Sequence, residues 1–165
     1  MKEANESQLQ TLMQNFEQKL AKSRDAKDRQ QSEAEASYLE FKRVRTEVIR
    51  PAMDDIGNQL KAKGHTVEIA EVGDERSKRD AKISLRVTIG GVPSSAYIPE
   101  NTALVSFCHT GHTTVSIQAS TPSQHKSDFA GQRGSYTLAE ITTDLVEKKI
   151  LEVLEEVFSP GSKRG

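Results

Sequence analysis

The first fifty residues contain neither glycine nor proline. The first proline is Pro51 and the first glycine Gly57, so nothing in the opening stretch ends a helix. Tryptophan is absent and cysteine occurs once, at Cys108, so no internal disulfide can form and a disulfide-stabilised secreted fold is excluded. No run approaches the roughly 18 apolar residues of a membrane span. The N-terminal MKEANESQ has no apolar core of a secretory signal, so no membrane partner and a cytoplasmic location are expected. Net charge is minus one, which removes any global argument for nucleic acid or an anionic membrane surface. Hydrophobic residues make up only 35% against 28% charged, so part of the chain must be solvated rather than packed.

What is present begins with a helical arm. Leu9, Leu12, Met13, Phe16 and Leu20 recur at helical spacing and form a narrow amphipathic stripe. From Ala21 to Ala36 the only apolar groups are alanines, a composition suited to a solvent-bridging helix or a mobile linker. Periodicity returns at Tyr38, Phe41, Val44, Val48, Ala52, Ile56 and Leu60. Pro51 interrupts this helix, so a kink or restart is expected there, and Gly64 is placed to stop it.

Strand signals follow from His65 to Val72. They are clearest from Lys82 to Gly90, where Ile83, Leu85, Val87 and Ile89 alternate with Lys82, Ser84, Arg86 and Thr88, predicting one buried and one wet face. The segment 90–102 reads as a loop with a short edge strand near 94–98. Residues 103–119 read as a hairpin turning on Thr110 and Gly111. A two-residue loop would set Cys108 against Thr113 and Leu104 against Ile117, with Leu104, Val115, Ile117, Ser106 and Cys108 on the core face and Val105, Phe107, His109 and His112 opposite. Residues 120–136 are polar and read as a long loop with a pairing segment around 127–129; within them, GQRG reads as a turn. Thr137 then begins a helix, with Glu140 completing a capping box. Leu138, Ile141, Leu145, Val146, Ile150, Val153 and Val157 form its core face, and Leu151, Leu154 and Phe158 form a second stripe free for a partner.

Charge is uneven along the chain. Residues 41–63 carry six bases against three acids and residues 138–158 six acids against two lysines, each read as a solvated helix face. Around Arg76, Lys78, Arg79, Lys82 and Arg86 bases also predominate, yet no stacking aromatics lie among them, so nucleic-acid binding is not favoured.

Chemistry-bearing clusters are few. The CHTGH segment brings Cys108, His109 and His112 together in sequence, and with His125 a three-histidine metal site is conceivable; a surface histidine pair is the simpler expectation. Cys108 is expected as a buried structural thiol, because its neighbour His109 points to the other strand face and cannot serve it as a base. The glycines at 90, 91, 131 and 134 include no phosphate-loop or dinucleotide fingerprint, so no cofactor is expected.

These readings predict an α+β protein: a four- to five-stranded antiparallel sheet packed against a C-terminal helix and a kinked preceding helix, with an extended helical N-terminal arm. The arm, helical or partly disordered, spans 1–37, the α+β domain 38–159, and a flexible tail 160–165. The expected role is a non-enzymatic interaction or adaptor protein, homo-oligomeric and able to take a protein partner. Its contacts would be Leu9, Leu12, Phe16 and Leu20 of the arm with Leu151, Leu154 and Phe158 of the last helix. The alternative is a small-molecule or lipid-binding domain whose pocket, between sheet and helix, is lined by Tyr97, Phe107 and Phe129.

Overall fold

In the computed structural model, residues 2–73, 81–90, 102–121 and 131–158 are described. The expected edge strand at 94–98, the pairing segment at 127–129, the basic loop of Arg76, Lys78 and Arg79, and the tail at 160–165 lie outside the described residues. The chain divides into two units, Met1–Ala36 and Ser37–Gly165.

The first unit is helix. α1 runs from Glu3 to Val44, so the charged span 21–36 is helical, as its run of good helix formers allows. Every described residue through 36 is exposed.

In the second unit, Tyr38, Phe41 and Val44 on the last turns of α1 are buried. A π-helical turn, Arg45–Ile49, then precedes α2 (Arg50–Ala62), and the Arg50 N–H reaches back five residues to the Arg45 carbonyl. Pro51 explains the position of this turn. The proline has no N–H to donate, and its ring would strike the carbonyl four residues earlier in a regular helix, so the backbone widens just before it. α2 ends in a Schellman cap: the Gly64 N–H donates to the Lys61 carbonyl and the His65 N–H to the Leu60 carbonyl, with Gly64 at φ 92°.

Five antiparallel strands follow in a meander of order β1-β2-β3-β4-β5: β1 (Thr66–Val72), β2 (Lys82–Thr88), β3 (Thr102–His109), β4 (Thr114–Ser120) and β5 (Gln132–Thr137). α2 packs on β1 and β2, and α3 (Thr143–Phe158) packs on β3 and against α2. The class is α+β, with the core between the inner sheet face and the helices.

Four details depart from expectation. The β3–β4 register pairs His109 with Val115, Cys108 with Ser116 and Phe107 with Ile117, three residues away from a two-residue turn. An odd shift exchanges the faces: Val105, Phe107 and His109 join Val115, Ile117 and Ala119 in the core, while Leu104, Ser106 and Cys108 face the other way. The longer loop wins because it collects the apolar side chains on one face instead of dividing them. Cys108 is in consequence only half-buried.

The segment GQRG does not make an isolated turn; Gln132 to Gly134 begin β5, which pairs with β4 through Thr114–Thr137, Val115–Tyr136 and Ser116–Ser135. QRGSYT has no apolar alternation to announce it; backbone pairing at the sheet edge and the Arg133–Glu156 ion pair to α3 hold it in place.

Thr137 and Glu140 do form a capping box, but on a short 3₁₀ turn, Leu138–Glu140. α3 starts only at Thr143, where the Thr142 hydroxyl accepts from the Leu145 N–H at 3.2 Å.

The outer sheet face is not simply wet. Ser84 and Ser106 are buried with their hydroxyls 2.8 Å apart, and Thr88 and Thr102 are buried as a second cross-strand pair. Hydroxyls that satisfy one another across strands can leave water at little cost.

Candidate functional site

Ser37, Phe41 and Arg45 recur every four residues and so share one face of the helix, which lies over the end of the sheet where β3 and β4 turn. His109, the last residue of β3, points inward to meet them. Its ring stacks on Phe41 at 5.1 Å between centroids and an interplanar angle of 19°. On Phe41 also sits the Arg45 guanidinium, 5.7 Å from the ring centroid, with Nη1 donating to the carbonyls of Val72 at 3.2 Å and Gly73 at 3.4 Å. The Arg45 charge is therefore buried, not part of a solvated basic face, and two strand-end carbonyls with an aromatic ring replace its hydration.

Below the ring stack, three polar atoms converge. Ser37 Oγ lies 2.9 Å from His109 Nε2, His109 Nε2 lies 2.8 Å from the His112 carbonyl, and the Ser37 hydroxyl donates to that same carbonyl. A carbonyl oxygen can only accept, so His109 carries its proton on Nε2 and donates toward His112. A serine beside a histidine at this distance has the outline of a nucleophile and its base. The tautomer argues against that use, since the nitrogen facing the serine already holds a proton. The arrangement is a clamp: one helix hydroxyl and one strand imidazole hold the backbone of the β3–β4 turn.

Three side-chain atoms, Tyr38 Oη, Arg45 Nε and His109 Nδ1, are buried with no hydrogen-bond partner among the described residues. Burial holds the His109 pKa below its ordinary 6.5, with the nearby His112 pushing the same way and the hydrogen bond to the His112 backbone opposing.

A depressed folded-state value means that the unfolded chain binds the proton more tightly. Stability from His109 is then complete above about pH 6.5 and lost progressively as pH falls toward the lower folded value. Chemical denaturation at about pH 7.5 and about pH 5 is expected to show a larger loss for the wild-type chain than for His109→Phe, which keeps a ring on Phe41 and cannot titrate. Equal losses would contradict the assignment.

The residues expected to form sites are distributed as follows. His109 is in the core, whereas His112 is exposed and contributes its carbonyl; the expected surface pair is corrected by the register of the hairpin. His125 lies outside the described residues, and no group of three or more His, Cys, Asp or Glu that could hold a metal occurs among them. Phe107 is fully buried in the core, and Tyr97 and Phe129 lie outside the described residues. One described cleft, of about 150 Å³, is bordered by Arg50, Asp54, Gly57, Asn58 and Lys61 on α2, well below the several hundred cubic ångströms of a typical ligand pocket.

Leu151 and Phe158 are exposed at 55% and 45%, and the Phe158 ring meets His65 edge-on at 5.3 Å. Leu154 is corrected. It is buried, because one turn beyond Ile150 it lies only about 40° around α3 from the core face. In the first unit, Leu9, Leu12, Met13, Phe16 and Leu20 are all exposed, from 41% at Leu20 to 66% at Phe16.

Sequence reasoning did not assemble Ser37, Phe41, Arg45 and His109. The four-residue repeat of a hydroxyl, an aromatic and a cation on one helix was the available signal.

Fold and site together define an α+β meander protein with a helical arm and a buried histidine clamp. Comparisons with known proteins returned no match: no family model, no curated protein and no solved structure corresponds to this chain. Among the described residues no helix is long and apolar enough to cross a membrane.

Proposed function

We propose that this chain is a non-enzymatic interaction protein of the cytoplasm, working as a homo-oligomer whose arm is the association element and whose α+β body is the part offered to a protein partner. The observation that carries the reading is the arm stripe. Five large apolar side chains stand along one line of a helix whose every described residue through 36 is exposed. A soluble helix gains most of its stability from burying such a stripe, and a charged arm with so few apolar groups has no core of its own.

Burying a large apolar side chain is worth about 1.5–3 kcal/mol, and these are already partly shaded by their own helix. Ten of them from two arms contribute on the order of 10 kcal/mol, comparable with the roughly 4–15 kcal/mol that association costs. The resulting equilibrium responds to concentration.

Sedimentation of the full chain tests the reading. Leu12→Glu with Phe16→Glu is expected to abolish self-association, whereas Leu151→Glu with Phe158→Glu leaves it in place. An arm variant that sediments as the wild type does would overturn the proposal.

A further inference from the structure

We infer that the occupant of the arm stripe is the arm of a second copy of this chain, lying antiparallel with Leu9 opposite Leu20 and Met13 opposite Phe16. This rests on the self-association proposed above and specifies its geometry.

Leu9, Met13, Phe16 and Leu20 alternate four- and three-residue steps, the spacing of the seam in a two-helix coiled coil, with Leu12 at its flank. Continued outward, that spacing places Glu6 and Lys2 on the seam before Leu9, and Ser23 and Lys27 on the seam after Leu20. All eight positions are exposed, seven of them in α1 and Lys2 immediately before it. The apolar part is short, so the polar positions on either side of it decide the direction of pairing.

Parallel arms in register set each seam residue against itself. Glu6 would face Glu6, Lys2 would face Lys2 and Lys27 would face Lys27, and Lys19 would lie beside Arg24 on the flank. Each of these contacts joins like charges, next to an apolar core too short to dominate them.

Antiparallel arms centred between Gln14 and Asn15 remove most of this repulsion. Glu6 then faces the Ser23 hydroxyl, and Glu3 comes beside Arg24. Only Lys2 against Lys27 remains as a like-charge layer, at the outer limit of the pairing.

The charge distribution along the arm carries the same preference. Residues 3–17 hold three acids and no base, and residues 19–29 hold five bases and two acids. An antiparallel pair lays the start of each acidic stretch along the basic stretch of the other arm, and a parallel pair lays like on like. The central layer also improves, since Met13 meets Phe16 of the second arm as a sulfur–aromatic contact.

Cysteine pairing distinguishes the arrangements. In full-length chains carrying Cys108→Ser, Glu6→Cys and Ser23→Cys are made separately and oxidised with oxidised glutathione, alone and mixed, beside sedimentation of the same proteins. Opposed seam positions lie within the Cα separation that a disulfide spans, and positions at opposite ends of the seam do not. The expected result is that neither variant crosslinks alone and the mixture gives a covalent dimer at least tenfold above either. Self-crosslinking of Glu6→Cys or Ser23→Cys would establish parallel arms and overturn the inference while leaving self-association intact. Dimers in sedimentation with no crosslink in any sample would also overturn it, and monomers throughout would remove both proposals.

Discussion

Phe41→Ala is expected to destabilise the α+β body by about 3–5 kcal/mol, the range for deleting a buried aromatic side chain whose surroundings close only in part. Phe41 is fully buried, and its ring serves two partners, the His109 imidazole and the Arg45 guanidinium. Truncation removes apolar burial, and it also strips the stacking surface from a buried cation whose Nε has no hydrogen-bond partner among the described residues. Phe41→Leu separates these contributions. Leucine refills much of the volume without a π face, so it is expected to cost less than alanine and still about 1 kcal/mol or more, the worth of an aromatic contact beyond its area. Guanidinium-induced unfolding of the three chains reads the difference. Leucine behaving as wild type would reduce Phe41 to a filler of space.

Gly73→Ala is expected to cost about 2–5 kcal/mol, well above the same change at Gly64. Both glycines adopt the left-handed region, with φ of 90° and 92°, and a side chain there costs about 1–2 kcal/mol by itself. Space separates them. A Cβ on Gly64 meets nothing within 4 Å, while one on Gly73 falls 2.5 Å from the Ala81 Cα and 2.7 Å from its Cβ. Backbone must therefore move, adding the roughly 1–3 kcal/mol of an overpacked site. The Gly73 carbonyl also receives the Arg45 guanidinium, and Ala81 accepts the His109 N–H at 2.8 Å, so displacement here reaches the histidine clamp. Equal thermal shifts for Gly64→Ala and Gly73→Ala would show that the close approach to Ala81 carries no energy.

Local pattern and long-range pairing were unequally legible in the chain. Alternation through Ile83, Leu85 and Val87 announces β2 because that face of the strand lies in the apolar core while the other carries polar side chains. Pro51 likewise marks the helix irregularity, since a missing donor and a ring clash act within one turn whatever the tertiary context. The β3–β4 register is not legible locally, because Thr110 and Gly111 make an acceptable short turn. The decision lies in which partners Phe107 and Val115 find across the sheet, and that is a property of the assembled core.

β5 escaped for a related reason. A strand held by backbone pairing with little apolar content leaves no periodic trace, and GQRG resembles a turn by composition alone. His109 followed from the register error, because a one-face exchange takes a residue from solvent to core. Nothing local marks Ser37, and Arg45 falls in a basic stretch that reads as a solvated face; their role appears only where the face that they share with Phe41 meets the end of the sheet. The arm stripe needed no tertiary information, since helical spacing alone places Leu9, Met13, Phe16 and Leu20 on one line.

The central claim is that the exposed stripe brings chains of this protein together. Sedimentation equilibrium of the full-length wild-type chain across a dilution series tests it most directly. The account predicts a mass that moves from twice 18.3 kDa at high concentration toward 18.3 kDa on dilution, with Leu12→Glu/Phe16→Glu held at the lower value throughout. A wild-type chain that stays at 18.3 kDa at every concentration would contradict it.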